Sequence, residues 1–136
     1  MSEKLAAGVS VTRAFEIDKT RTIDFLGEEL RVYATPAMIQ DAEITCRDFL
    51  LDHAPEGVDS VGTGISMTHA AASPLGMTVT FTATVTKAEG PLVEFEIVAH
   101  DGLEEVGRGN HGRFMVPVDK LAARIKGKIA QFKASS

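Results

Sequence analysis

Glu43 is the most telling polar residue in this chain, because of what surrounds it. Between Ala37 and Leu50, helical spacing sets Ile39, Ala42, Cys46, Phe49 and Leu50 on one stripe, with Glu43 at its edge and Asp41 and Asp48 on the opposite side. An ionised carboxylate withdrawn from water costs several kcal/mol unless it is paired, so such a residue either meets a partner or exploits a raised pKa. As chemistry it would be a general base or a nucleophile in a low-dielectric site. The plainer alternative is a carboxylate that reaches solvent or pairs with Arg47 at i+4. The favoured partner is His69, which closes an alternating segment on the same face as Ile65 and Met67 and exchanges protons near neutral pH. Its plainer alternative is a core histidine bonded to a backbone carbonyl.

Three further positions could serve such a pair. Thr35 stands before a helix as an N-cap, where its hydroxyl and the adjacent N–H groups would also favour developing negative charge. Gly62 and Gly64 interrupt a strand, either as a bulge or to leave room for an acyl group and aim a backbone N–H at a carbonyl oxygen. Arg113 is either a surface arginine or a ligand for a phosphate of a carrier molecule. His53, His100 and His111 have simpler explanations: a helix C-terminus, a turn and a glycine-broken strand. Cys46, the only cysteine, reads as a small buried hydrophobe.

The elements that must position these residues follow from periodicity. Residues 9–17 alternate as a strand, 18–29 are loop-like with room for one helical turn, and 30–33 form a short extended stretch. A helix starts at Thr35 as cap with Pro36 at its first position, and runs to about Asp52. Strands follow at 61–70, 77–86, 91–99 and 106–118, the second with five threonines on one face and apolar residues on the other. Residues 121–132 form a basic amphipathic helix. The order predicts an α+β domain over residues 1–136, one long helix packed on a curled antiparallel sheet, with a C-terminal helix outside.

Bulk properties narrow the functions. The chain has 136 residues and a formal net charge of −5, which gives nucleic acid no cationic surface to bind. No apolar run approaches the roughly 20 residues of a membrane helix, and the N-terminus lacks a signal-peptide core. The lone cysteine allows no intrachain disulfide and no cysteine-based metal site, which fits a cytoplasmic protein with no metal and no cofactor. Phosphate-binding loops, dinucleotide fingerprints, serine-hydrolase elbows and histidine pairs at metal spacing are absent.

Ala34-Thr35, the eight-residue step to Glu43, and the run from Gly62 through Thr68-His69-Ala70-Ala71-Ala72-Ser73-Pro74 to Val79 resemble the fluoroacetyl-CoA thioesterase-like branch of the hotdog-fold thioesterases. The stretch Ala99-His100-Asp101-Gly102 through Arg113 resembles the same branch, so the likeness covers nearly the whole chain. It implies a hotdog fold, a homodimer with active sites at the subunit interface, and hydrolysis of a small acyl-CoA to free acid and CoA. The family's catalytic threonine, glutamate and histidine fall on Thr35, Glu43 and His69, its glycine beside the substrate carbonyl on Gly62, and its strand arginine on Arg113. Residues 25–33 are shorter than the phenylalanine-bearing lid of the fluoroacetyl-specific member, and Pro36 replaces a glycine, so selectivity for a fluorinated acyl group is not implied. Two alternatives are a non-catalytic acyl-CoA binding module that uses the same cleft, and, less favoured, an enoyl-thioester hydratase, whose usual Asp and His about five residues apart are not found in a convincing context.

Overall fold

A computed structural model describes residues 5–135. Strand β1 (Ser10–Glu16) leads through a 3-10 turn to two short strands, β2 (Thr22–Ile23) and β3 (Val32–Tyr33), which pair with each other. The long helix α1 (Thr35–His53) follows, then β4 (Val58–His69), β5 (Thr78–Glu89), β6 (Leu92–His100), β7 (Glu105–Pro117) and the terminal helix α2 (Val118–Ser135). The five long strands form one antiparallel sheet in the order β1-β5-β6-β7-β4, so β1 and β4 are its edges.

Alternation explains which face the helix covers. Val79, Phe81, Ala83 and Val85 of β5 and Val93, Phe95, Ile97 and Ala99 of β6 are buried against α1, while the threonines of β5 stand on the other face. From α1 come Met38, Ala42, Cys46, Phe49 and Leu50. Ile39, expected on this stripe, is only half-buried.

The structure corrects three local expectations. Ala34, not Thr35, is the N-cap of α1, and it makes no side-chain capping bond; Thr35 is already helical, with Pro36 beside it. Its hydroxyl is therefore free for other work. Asp41 does not face water: it is buried, and its Oδ2 accepts from the Tyr33 hydroxyl at 2.5 Å and from Arg21 Nε at 3.0 Å. The reason is tertiary, since the β2–β3 hairpin brings Tyr33 and Arg21 over what would otherwise be the solvent face of the helix. That environment pushes the Tyr33 phenol well above its ordinary value, chiefly through burial and then through the Asp41 bond. Finally, α2 begins at Val118 rather than Leu121.

Candidate active site

Strand β4 runs beside α1 in the opposite direction, and side chains meet in sequence along the seam. Thr35 meets His69 at the N-terminal end of α1, Glu43 lies over Gly62 midway, and Arg47 meets Asp59 beyond it. Thr35 and Glu43 are eight residues apart, which separates them by about 12 Å along the helix axis. The candidate residues thus fall into two clusters.

In the first, Thr35 Oγ1 and His69 Nδ1 are 2.7 Å apart. Either the hydroxyl donates to a bare Nδ1 or Nδ1–H donates to the hydroxyl oxygen, according to the tautomer. The imidazole stands edge-on to Tyr33, ring centres 6.1 Å apart. Its Nε2 is buried and makes no hydrogen bond among the described residues. Burial holds the His69 pKa below its ordinary 6.5, against a weaker opposing pull from the Ala71 backbone. The ring is therefore neutral at pH 7, the form that can accept a proton. It lines an open cleft of about 280 Å³ with Ile23, Val32, Tyr33, Thr35 and residues 70–72.

The second cluster is built on β7. Arg113 is buried, and its side chain is held by three groups besides Glu43. Nε donates to Ser60 Oγ at 2.7 Å, a terminal N–H to the Ser60 carbonyl at 2.8 Å, and Nη1 to His111 Nε2 at 3.1 Å. Nη1 also reaches Glu43 Oε2 at 3.3 Å. His111 Nδ1 lies 2.8 Å from the Gly64 carbonyl. An acceptor on one side and a donor on the other fix its tautomer: Nδ1–H donates to the Gly64 carbonyl, and the bare Nε2 accepts from Arg113. Burial, with help from the Arg113 charge, keeps this imidazole below its ordinary pKa. Glu43 itself remains half-exposed. The array presents a carboxylate to solvent on a base held by four hydrogen bonds from Arg113.

Several expectations change here. Within one chain Glu43 pairs with Arg113, not with His69 and not with Arg47, whose guanidinium is taken by Asp59 at 2.6 Å. Arg113 is neither a surface arginine nor open to a carrier phosphate, because the interior of the seam uses its donors. Gly62 does meet a close approach: a Cβ there would lie 2.7 Å from Glu43 Oε2. Gly64 faces open space instead, and its carbonyl serves His111. The strand register shifts between these two glycines, as a bulge does. His111 and Ser60 were not singled out from the sequence as parts of a site. The signal for His111 was its i, i+2 relation to Arg113, which puts both on one face of β7. No cluster of three or more His, Cys, Asp or Glu able to hold a metal occurs among the described residues. Cys46 is buried, and burial pushes its thiol up to about 12.

Comparison with known proteins gives this geometry a context. Residues 17–119 match the fluoroacetyl-CoA-specific thioesterase family. The fluoroacetyl-CoA thioesterase of Streptantibioticus cattleyicolor is 32% identical over 135 residues, covering 94% of this chain and 97% of the relative. A crystal structure of the fluoroacetyl-CoA thioesterase superposes with a TM-score of 0.83 at 32% identity, covering 90% of this chain and 96% of that one. A thioesterase superfamily member from Thermus thermophilus reaches 0.86 at 26% identity, covering 96% and 97%. A hot-dog-like protein from Thermanaerovibrio acidaminovorans reaches 0.83 at 26% identity, covering 93% and 95%. With its helix on a curled antiparallel sheet and its match across most of its length, the chain belongs to the fluoroacetyl-CoA-specific thioesterase family and is a hotdog-fold thioester hydrolase.

Proposed function

We propose that this enzyme hydrolyses short acyl-CoA thioesters to the free acid and CoA, with Thr35, Glu43 and His69 as catalytic residues in one domain spanning the chain. The observation that carries the reading is the Thr35–His69 pair at 2.7 Å, an imidazole whose second nitrogen is buried without a hydrogen-bond partner among the described residues, beside an open cleft. An unsatisfied buried nitrogen is costly, so its retention fits a group that bonds when substrate is present.

A thioester carbonyl is electrophilic and its thiolate leaves readily, so the reaction needs correct placement of a nucleophile and a proton acceptor. Water, or the Glu43 carboxylate, adds to the carbonyl carbon. If water adds, Glu43 or His69 takes its proton. The tetrahedral intermediate expels the CoA sulfur, which is then protonated. If Glu43 adds, the product is an anhydride that a water molecule cleaves. Backbone N–H groups around Gly62 receive the carbonyl oxygen as it gains negative charge. Arg113, itself positioned by His111, holds Glu43 and does not touch the substrate.

Two clusters can serve one substrate if a second copy joins the sheet through β4. That strand is 12 residues long, lies at an edge, and carries both His69 and Gly62. A long unpaired edge favours pairing with another chain, and antiparallel pairing of two β4 strands places the Gly62 region of one copy near that of the other. The active site is thus read as interfacial and the enzyme as a homodimer. A cytoplasmic location fits the single unpaired, buried Cys46.

A panel of acyl-CoA substrates of increasing chain length tests the reading, with release of free thiol as the signal. Thiol release from short acyl-CoA is the expected result. Binding without thiol release would mean a binding module, and loss of enoyl absorbance without thiol a hydratase; either overturns the proposal.

A further inference from the structure

Coenzyme A brings several phosphate charges to a chain whose own net charge is −5. Like charges repel, so the phosphates need a cationic landing site. The eight Lys and Arg side chains from Arg13 to Arg113 offer none, because each is engaged with a carboxylate: Arg13, Lys19, Arg21, Arg31, Arg47, Lys87, Arg108 and Arg113. Helix α2 differs. It buries none of its residues and carries a single acid, Asp119. Its Lys120, Arg124, Lys126 and Lys128 form no ion pair among the described residues.

Three of those four stand in a row. Lys120, Arg124 and Lys128 are spaced four residues apart, so they share one face and span about 12 Å. The row borders an exposed apolar strip of Ile125, Ile129 and Phe132, while Lys126 lies on the far side of the helix.

The place of α2 also fits. Val118 N–H donates to the Gly57 carbonyl at 2.8 Å, and Pro117 pairs with Val58, so α2 springs from the start of β4. His69 closes the same strand, about 36 Å away at 3.3 Å per residue. Antiparallel pairing of two β4 edges reverses that relation, and the root of the second copy's α2 comes beside the His69 cleft.

We propose that the Lys120–Arg124–Lys128 row of α2 binds the phosphates of coenzyme A, the helix of one subunit anchoring the nucleotide end of a substrate whose thioester lies at the other subunit's His69. This rests on the acyl-CoA hydrolase reading above. Arg113 is excluded from the task by its burial, and no other uncommitted cationic row exists among the described residues.

The test compares acetyl-CoA with acetyl-pantetheine, which lacks the nucleotide. In the triple variant Lys120→Gln/Arg124→Gln/Lys128→Gln, three exposed charge contacts are removed, and KM for acetyl-CoA at low salt rises about tenfold or more. Its kcat and both constants for acetyl-pantetheine stay at wild-type values. Lys126→Gln alone leaves all four constants unchanged. An unchanged KM for acetyl-CoA in the triple variant, an equal loss on both substrates, or an effect of Lys126→Gln as large as the triple would each overturn the proposal. If the wild type cleaves neither thioester, the hydrolase reading fails while the anchor is still decided by calorimetric titration with adenosine 3′,5′-bisphosphate. Binding by the wild type that the triple variant loses supports the anchor, and no binding by the wild type overturns it.

Discussion

At the scale of single residues, the proposed chemistry turns on His69 being neutral and on Glu43 being held in place. Replacing His69 or Glu43 by alanine removes a proton acceptor or nucleophile and lowers turnover by about 100-fold or more, measured as thiol release by purified, folded variants. Wild-type turnover in either variant would remove that residue from the mechanism. The pH profile carries a second prediction. Burial depresses the His69 pKa below 6.5, so the base-competent form predominates at neutral pH. The rate is therefore expected to rise with pH through a midpoint below 6.5, lower than that of an ordinary imidazole. Stability follows the same sign for His69 and His111. Unfolded histidine takes up a proton near 6.5, whereas His69 and His111 do so only at lower pH. The unfolded state binds more protons in that window, so stability is full above about 6.5 and declines as pH falls below it. His111→Gln removes part of the decline, read as the difference in melting temperature between pH 7.5 and pH 5.5. An unchanged difference would show that His111 does not titrate differently on folding.

The element that organises the site is β4, and two glycines at its seam separate catalytic from structural cost. A Cβ at Gly62 would sit 2.7 Å from the end of the Glu43 side chain, a flexible group that can swing aside. Gly62→Ala is therefore expected to leave the fold intact and to cut turnover by displacing the carboxylate. A Cβ at Gly109 of β7 would overlap the Ser66 carbonyl at 1.8 Å, and backbone cannot swing aside. Gly109→Ala is expected to destabilise by roughly 1–3 kcal/mol or more, as overpacked sites do, visible in chemical denaturation. Similar melting points for the two variants would contradict this assignment. The buried Tyr33–Asp41–Arg21 array shows how short elements contribute. The two-residue strands β2 and β3 would be marginal alone, yet β3 delivers Tyr33 and the 3-10 turn leading into β2 delivers Arg21, the donors that make a buried Asp41 tolerable.

For the whole molecule the decisive quantity is the number of chains. Both the proposed interfacial active site and the proposed reach of α2 to a distant cleft require pairing at the β4 edge. Sedimentation at micromolar concentration should give twice the 14.5 kDa chain mass. A monomer that retains full turnover would sink the interfacial site, because one chain keeps its Thr35–His69 and Glu43–Arg113 clusters separate. Exposed apolar residues add a second feature of this scale. Phe25 and Leu26 are 83% and 71% exposed in the segment between β2 and β3, whose Ile23 and Val32 line the cleft.

Much was legible in the chain read alone. Period-2 alternation over residues 77–99 identified two strands and their buried faces, and helical spacing from Ala42 to Leu50 identified the face of α1 that meets them. Burial of a repeating pattern is a local property, set by how far each residue type gains from leaving water. Thr35, Glu43 and His69, the residues proposed for catalysis, were candidates before any coordinates. What could not be read was who meets whom. His69 bonds Thr35 rather than Glu43, Arg113 turns inward, and Asp41 is buried on a helix face that spacing assigned to water. Each outcome depends on a segment distant in sequence arriving at one place: β4 along α1, β7 beside β4, the β2–β3 hairpin over Asp41. Charges and hydrogen bonds act across a few ångströms of space, not along the chain, so their pairing waits on the assembled fold.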